Sequence, residues 1–471
     1  MTNYNDTPVK LMIYPALIFM LIGMSIGVFL AFNTFLFPDY FSGEYIHFGR
    51  MRPVHVHSVA ILWLYSVGVG FFYFFVPRLC GTSLWSPKMA YWSAGIWWFA
   101  LVISTYSYPF GTNFGWEYAE IPNWVWWIPV KPLFVVAWVL VVFNIFATIA
   151  TRKIQKMYVS LWYTMGTLIW ATFTYLAGSY AINWVPGGIS RVNVSFFYVH
   201  NLVGLIFTPM GLAAAYYFLP KAANTPIHSH KLSMVGFWSI AFVYGWIGAH
   251  HMIHGPISQW LQTVSIIFSI WLFIPVFTVV HNLMMTIFSK WKEFTVNVPV
   301  RFITMGVIFY FITCVQGPLM ALRNVNEITS KTDWVIGHSH VSLYATFTFF
   351  AFAGVYVAIP AITKKPIWSN TLSELHFSLN MLGTIPFILV LWMGGFFQGM
   401  LWSTWADGAT YAEFHNNLTN LPFVETNTLM RPWWFLRGIG GVIILVANLL
   451  FVINIFNTII LNPRESEGAS V

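Results

Sequence analysis

Charge is what this sequence has least of. Of its 471 residues only 8% are Asp, Glu, Lys or Arg, about a third of the share carried by a soluble domain. Acidic side chains are the scarcer sign, 14 against 22 basic ones. Such a chain cannot cover itself with a hydrated surface, which excludes an ordinary soluble enzyme. Cysteine is almost missing as well: Cys80 and Cys314 are the only two. That excludes a disulfide framework, a Cys-x-x-Cys-His attachment for covalent haem and a cysteine-held dicopper centre. Any metal must rest on histidine and carboxylate. The formal net charge of +8 is no nucleic-acid footprint, because the basic residues sit between apolar segments rather than in a stripe.

What fills the chain is apolar: 58% of residues are hydrophobic and the mean hydropathy is +0.69. Runs of about 18 or more apolar residues recur from end to end, the signature of transmembrane helices. Twelve spans are expected, at 11–37, 54–77, 90–111, 124–150, 158–182, 194–219, 232–254, 257–289, 298–322, 334–361, 374–402 and 433–461. The expectation is an all-α polytopic membrane protein, one domain over 1–471, with a loose tail at 462–471. The longest loop is 403–432, and no internal repeat is visible. The first span is too long for a cleavable signal peptide and lacks a small-residue cleavage site. Fourteen basic residues fall on the side of the two termini and seven on the other, which places both termini in the cytoplasm.

Under this topology six histidines from four spans fall in the same outer third of the membrane: His55, His200, His250, His251, His338 and His340. Ionisable groups inside a bilayer are costly and mark function. On a helix His338 and His340 point about 200° apart, so one helix can serve two centres, one on each wall. His250 and His251 can grip one metal with His200 as a third ligand, leaving a position open. Imidazole suits copper, iron or zinc there. His340 and His55 can clamp one haem iron from both sides, and His338 alone leaves another five-coordinate. Tyr244, seven residues before His251, is expected on the same helix face about 10 Å along the axis, where it can give an electron and a proton. His57, two residues from His55, is a rival haem ligand. His47, His254, His281, His376 and His415 read as structural.

The chain resembles the catalytic subunit of the haem-copper oxidase superfamily, and most closely its C-type (cbb3-type) cytochrome c oxidases, over nearly its whole length. The resemblance is carried by Gly49-Arg-Met-Arg-Pro-Val-His55, Glu117-Tyr-Ala-Glu120, His200-Asn-Leu-Val-Gly204, Tyr244-Gly-Trp-Ile-Gly-Ala-His250-His251, Thr332-Asp-Trp-Val-Ile-Gly-His338-Ser-His340 and Arg437-Gly-Ile-Gly-Gly441. It implies a twelve-helix haem-copper oxidase bundle. It implies a low-spin haem b on His55 and His340, a high-spin haem b3 on His338, and copper on His200, His250 and His251. Tyr244 matches the tyrosine that this type joins covalently to a copper-ligand histidine, with His200 as its partner. Glu117 and Glu120 match a calcium site. Arg437, with Arg52 and Arg431, would pair with haem propionates.

The resemblance further implies dioxygen reduction to water in a bacterial cytoplasmic membrane, with electrons from membrane-bound c-type cytochrome subunits and protons from the cytoplasm. Ser233, Ser239 and Tyr244 trace a proton route. Three departures stand out. Gln316 replaces a family glutamate near the active-site haem. His228 and His230 occupy a loop where the family shows aromatic residues. His57 competes with His55. The nearest alternative is a nitric oxide reductase, which commonly carries a glutamate four residues after the first histidine ligand, where this chain has Gly204. A non-catalytic membrane cytochrome or transporter is a second alternative.

Overall fold

The computed structural model describes residues 4–33, 36–37, 43–112, 121–406 and 425–461. Twelve long helical rods carry nearly all of these: α1 Thr7–Asn33, α2 Phe48–Cys80, α3 Pro87–Ser107, α4 Val130–Ala150, α5 Val159–Ser179, α6 Ile189–Ala222, α7 His230–Met252, α8 Gln259–Phe288, α9 Val298–Ala321, α10 Asp333–Thr363, α11 Asn370–Ala406 and α12 Glu425–Ile460. Among the described residues the only β-type pairing is an isolated bridge between Val125 and Ile128. Ten of the rods are long and apolar enough to cross a membrane by length and composition. The other two, α3 and α5, have 21 residues each, enough to span. Their hydropathy is lowered by buried hydroxyls such as Ser93, Ser104, Thr164 and Thr167. The C-terminal boundary differs from the sequence expectation: helix α12 begins at Glu425, so the connection expected at 403–432 is partly helical. The tail at 462–471 lies outside the described residues.

The sequence shows no repeat, but the hydrogen bonds reveal one of four helices, occurring three times. In α4, α8 and α12 an asparagine and the threonine four residues later (Asn144 and Thr148, Asn282 and Thr286, Asn454 and Thr458) hold the turn that opens the preceding helix. The asparagine amide bonds both backbone groups of one serine. It receives the N–H of Ser86, Ser229 or Ser369 and donates to the same residue's carbonyl, at 2.7–3.0 Å. The threonine hydroxyl accepts the N–H of the residue before, Trp85, His228 or Trp368, at 2.9–3.0 Å. The N–H groups at a helix entry have no intrahelical partner and must find one; each serine carbonyl already accepts the N–H four residues on and takes the amide as a second donor. The repeated unit is therefore α1–α4, α5–α8 and α9–α12. Sequence similarity is too thin to show it, because the shared part is a few polar residues among freely exchangeable apolar ones.

The second helix of each unit, α2, α6 and α10, is buried nearly all round, whereas the other membrane-crossing rods bury about half their surface or less. These central helices share a second device. Each widens into a π-helical segment, at His57–Tyr65, Leu202–Phe207 and Val341–Thr348. A hydroxyl at the end of each segment donates to the carbonyl five residues back: Ser66 to Ile61, Thr208 to Val203, and Thr348 to Leu343, at 2.9–3.0 Å. Where the backbone N–H of Ser66 and Thr208 already reaches the same carbonyl, the hydroxyl adds a second bond to it across the wide turn. Such segments recur at functional sites. Here each begins within two residues of a candidate ligand, His55, His200 or His340.

Replacing Asn144 by Ala strips the Ser86 N–H of its partner, while the Ser86 carbonyl keeps the N–H of Ala90. A loss of about 1–2 kcal/mol is expected for one orphaned, partly buried group. Thermal unfolding of the detergent-solubilised protein should show it as a lowered midpoint. An unchanged midpoint would mean that the clamp does not hold the turn.

Candidate metal centres

Helix α7 does not carry His250 and His251 on a regular α-helical face. Its α-helix stops at Val243 and continues as two 3-10 segments, Tyr244–Trp246 and Gly248–Met252. The span expected as one regular helix over 232–254 is therefore irregular from Tyr244 onward. The break folds Tyr244 against His200 of α6, with ring centroids 4.8 Å apart and planes inclined by 29°. Gly204 makes room for it, since a Cβ there would overlap the Tyr244 ring.

The same break turns His250 and His251 toward His200. His200 Nδ1 lies 3.1 Å from His251 Nε2, and His250 Nε2 lies 3.2 Å from His251 Nε2. One nitrogen from each ring falls within 4.8 Å of the others. The pairing is not an ordinary hydrogen-bond network. Ser269 donates its hydroxyl proton to Ser265 O at 2.6 Å, so it accepts from His250 Nδ1 at 2.9 Å. The His250 proton is thus on Nδ1, and Nε2 presents a bare lone pair. Two nitrogens each about 2.0 Å from one ion at a near-tetrahedral angle are separated by about 3.3 Å, the spacing found here. His200 Nε2, on the other side of its ring, is buried with no hydrogen-bond partner.

His338 sits within electrostatic range of all three rings. Its Nδ1 lies 2.9 Å from the side-chain amide of Gln316 on α9 and 3.4 Å from Thr313 Oγ1. The indole N–H groups of Trp392 and Trp334 also reach that amide, at 2.7 and 3.1 Å. An indole nitrogen can only donate, so the amide oxygen belongs to the tryptophans and the NH2 donates to His338 Nδ1. The proton of the neutral His338 ring is then on Nε2, and a metal ligated there would have to displace it.

His340 turns away from this pocket toward α11, where its ring meets Phe387 at 5.1 Å, and it lies within electrostatic range of His55. Both rings are tied by Nδ1 to a backbone carbonyl, His55 to Gly23 at 2.7 Å and His340 to Ile336 at 2.8 Å. A carbonyl only accepts, so Nδ1 carries the proton and Nε2 is free, the tautomer that a haem axial ligand needs. Gly27 lets α1 approach this site, because a Cβ there would stand 2.6 Å from His55 Cε1. The rival, His57, is directed elsewhere: both of its ring nitrogens face Tyr108 Oη, at 3.0 and 3.2 Å.

Arg52 lies near His55 and Arg437 near His340. Arg437 is buried and bonds both oxygens of Asp333 at 3.1 Å, and Trp434 donates to Asp333 Oδ2 at 2.9 Å. Asp333 opens α10 five residues before His338, where the helix N-terminus favours a negative charge. It pins the ligand-bearing end of α10 to α12. Asp333, Ser269, Trp334 and Trp392 escaped the reading of the sequence. A carboxylate in the first turn of a ligand-bearing helix, in a chain with 14 acidic residues, was the available signal for Asp333. Arg431 is exposed. Glu117 and Glu120 lie outside the described residues.

The suggested proton trace is not assembled into one line. Ser233 is buried and Ser239 partly exposed, six residues apart on different faces of α7. Each hydroxyl donates to its own helix, to His230 O and Val235 O.

Comparison with known proteins bears on these centres. The family model described as cytochrome C and quinol oxidase polypeptide I matches residues 7–443. A cytochrome c oxidase subunit 1 homolog of Azorhizobium caulinodans is 30% identical, over 97% of this chain and 82% of its own length. The cbb3-type cytochrome c oxidase subunit CcoN1 of Stutzerimonas stutzeri is 28% identical, over 100% of this chain and 98% of its own. A solved heme-copper terminal oxidase dimer shares the fold with a TM-score of 0.72 at 17% identity, over 98% of this chain and 84% of that one.

Gly204→Ala should push the Tyr244 ring off His200 and open the triad. The expected result is loss of the metal bound by His200, His250 and His251, read by elemental analysis of the purified protein. Undiminished metal would show that the close approach of Tyr244 is not needed.

Proposed function

Since this chain belongs to the cytochrome c and quinol oxidase polypeptide I family, the subunit I of haem-copper oxidases, we propose that it is the dioxygen-reducing subunit of a cbb3-type cytochrome c oxidase. In this reading copper rests on His200 Nδ1, His250 Nε2 and His251 Nε2, haem b3 on His338 Nε2, and low-spin haem b between His55 Nε2 and His340 Nε2. Bound there, copper and haem b3 iron supply electrons and open coordination positions for dioxygen, and haem b supplies one-electron transfer. Arg52, Arg431 and Arg437 are assigned to propionates, for which a guanidinium fork is well shaped. Glu117 and Glu120 are assigned to calcium, which takes hard carboxylate oxygens.

The chain's own residues then divide the remaining work. Ser269 holds the His250 proton on Nδ1. Gly23 and Ile336 hold those of His55 and His340. Tyr244, packed on His200, holds a phenolic proton beside the triad and can give up that proton with an electron. Its covalent joining to His200 Nε2 would release two protons and pass two electrons to dioxygen, the oxidant of the proposed reaction, and the partnerless Nε2 is the atom available for it. Ser233 and Ser239 are kept as proton-path residues on the side of α7 away from the histidines. Membrane c-type cytochrome subunits are the proposed electron donors. The proposed setting is a bacterial cytoplasmic membrane with both termini inside and residues 1–471 forming one domain.

The contact between Tyr244 and His200 across Gly204 carries this reading against the nitric oxide reductase alternative. A glutamate at position 204 would need the space the tyrosine ring fills. Elemental analysis tests it: one copper with two haem irons is expected, and a third iron without copper overturns it. His250→Ala should lower oxygen uptake by more than about 100-fold, on the scale of losing a positioned metal ligand, with the low-spin haem spectrum retained.

Gln316 supplies a further test. Its amide offers an N–H to His338, where a carboxylate would accept from it. Gln316→Glu can keep both indole bonds and present an oxygen to His338 Nδ1. The midpoint potential of the high-spin haem should fall by on the order of 60 mV, a tenfold shift for one electron. Redox titration of the visible spectrum would measure it.

A further inference from the structure

His376 read as structural in the sequence, but its surroundings are unusual. It is fully buried in α11, 0% exposed. Three phenylalanines from three helices enclose the ring: Phe302 of α9 and Phe352 of α10 at 4.7 Å, and Phe451 of α12 at 4.6 Å and stacked within 14°. The two ring nitrogens meet different partners. Asn448 spends both amide hydrogens on Tyr344 Oη and Ile444 O, each at 2.8 Å. Its oxygen therefore faces His376 Nε2 at 3.3 Å, and Nε2 carries a proton. Nδ1 is left to accept the hydroxyl of Tyr356 at 3.1 Å.

A proton added at Nδ1 finds the Tyr356 oxygen already in place to accept it, at 3.1 Å. The hydroxyl proton then turns to the side of Ser373 and Asn454, which stand near Tyr356. Ser373 and Asn454 lead to Ser369, at the turn opening α11. Glu374 stands close to Tyr356, half-exposed and paired with Arg301. These are the charged groups beside the cluster. From α10 and α12 it is faced by Tyr356, Phe352, Asn448 and Phe451, and from α9 by Phe302.

The threefold repeat separates this cluster from mere packing. Tyr356 precedes by four residues the proline near the end of its central helix, Pro360. Tyr73 stands likewise before Pro77, and Tyr216 before Pro220. Seven residues past the clamped serine of the next helix lie Ser93, Gly236 and His376. In the first unit Tyr73 Oη meets Ser93 Oγ at 2.9 Å. In the second, glycine stands there and Tyr216 Oη is buried without a partner. Only the third unit sets a protonatable ring against the tyrosine.

We propose that His376 is a proton-binding station, loaded from the Glu374 end of the bundle and charge-coupled through Asn448 and Tyr344 to the centre between His55 and His340. Tyr344 lies on α10 one turn past His340. On loading, the Tyr356 O–H bond breaks as an N–H bond forms at His376 Nδ1. The phenolate oxygen takes a proton from water on the Glu374 side, so one proton enters from solution and no electron moves. The Asn448 amide holds the Nε2 proton without passing it on, so charge rather than a proton reaches the far side. The proposal rests on the reading that His55 and His340 hold a haem.

The test uses the assembled holo-complex with turnover blocked by cyanide. Proton uptake on reduction is followed with a pH-indicator dye, and the midpoint potential of the low-spin haem is titrated at several pH values. In His376→Asn the uptake should drop and the midpoint should lose part of its pH dependence, with the low-spin haem spectrum unchanged. In Tyr356→Phe, which keeps the ring packing, uptake should be slowed by more than about tenfold, the cost of removing a positioned proton donor, while reaching its full extent. Unchanged uptake and pH dependence in spectrally intact His376→Asn overturn the proposal. If that variant does not assemble, an unchanged uptake rate in Tyr356→Phe overturns it instead. Failure of the haem reading itself would appear separately, as a wild-type complex without a low-spin haem spectrum.

Discussion

Imidazole nitrogens buried in an apolar interior have no water to turn to, so each needs a proton acceptor, a donor or a cation. His200, His250 and His251 bring one nitrogen each within 4.8 Å of the others, a grouping that could hold a metal ion. Each of His55, His250 and His340 gives its Nδ1 proton to an oxygen that can take it, so the opposite nitrogen is left without one. Depriving any of these rings of its acceptor would let the proton move to the other nitrogen.

Regular helices alone do not place these rings. Three central helices widen into π segments next to their histidines, and α7 narrows into 3-10 turns before His250. The hydroxyls of Ser66, Thr208 and Thr348 add side-chain bonds to carbonyls within the widened turns. Where the pitch of α7 changes, Tyr244 meets His200. Gly204 is where the backbone of α6 yields the volume that the tyrosine takes.

The threefold repeat gives the chain a built-in comparison with itself. The asparagine clamps are the same in every unit because each has the same task, satisfying the N–H groups at a helix entry. The central helices then diverge: His55 in one unit, His200 in the second, His338 and His340 in the third. The third unit also departs most in its polar interior. It carries Asp333 against Arg437, the Gln316 amide between two indoles and His338, and His376 in its phenylalanine cage. Polar groups of this kind cost free energy in a bilayer interior unless fully paired, and here their partners come from three or four different helices.

Composition and hydropathy determined the fold class and nearly every span, because a bilayer imposes length and apolarity on each helix by itself. Spacing within single spans also marked the six histidines and Tyr244, since a histidine inside an apolar run stands out wherever the helix is placed. What only the tertiary structure decided was everything that joins helices distant in the chain: the Tyr108 that occupies His57, the serine and carbonyls that fix the tautomers, Asp333 beside Arg437, the two tryptophans that orient Gln316, and the asparagine clamps. Those contacts depend on which face of one helix meets which face of another. Nothing within a single helix records that choice, since an apolar face packs about equally well against lipid or against a neighbour, and only polar pairs across the seam select one partner.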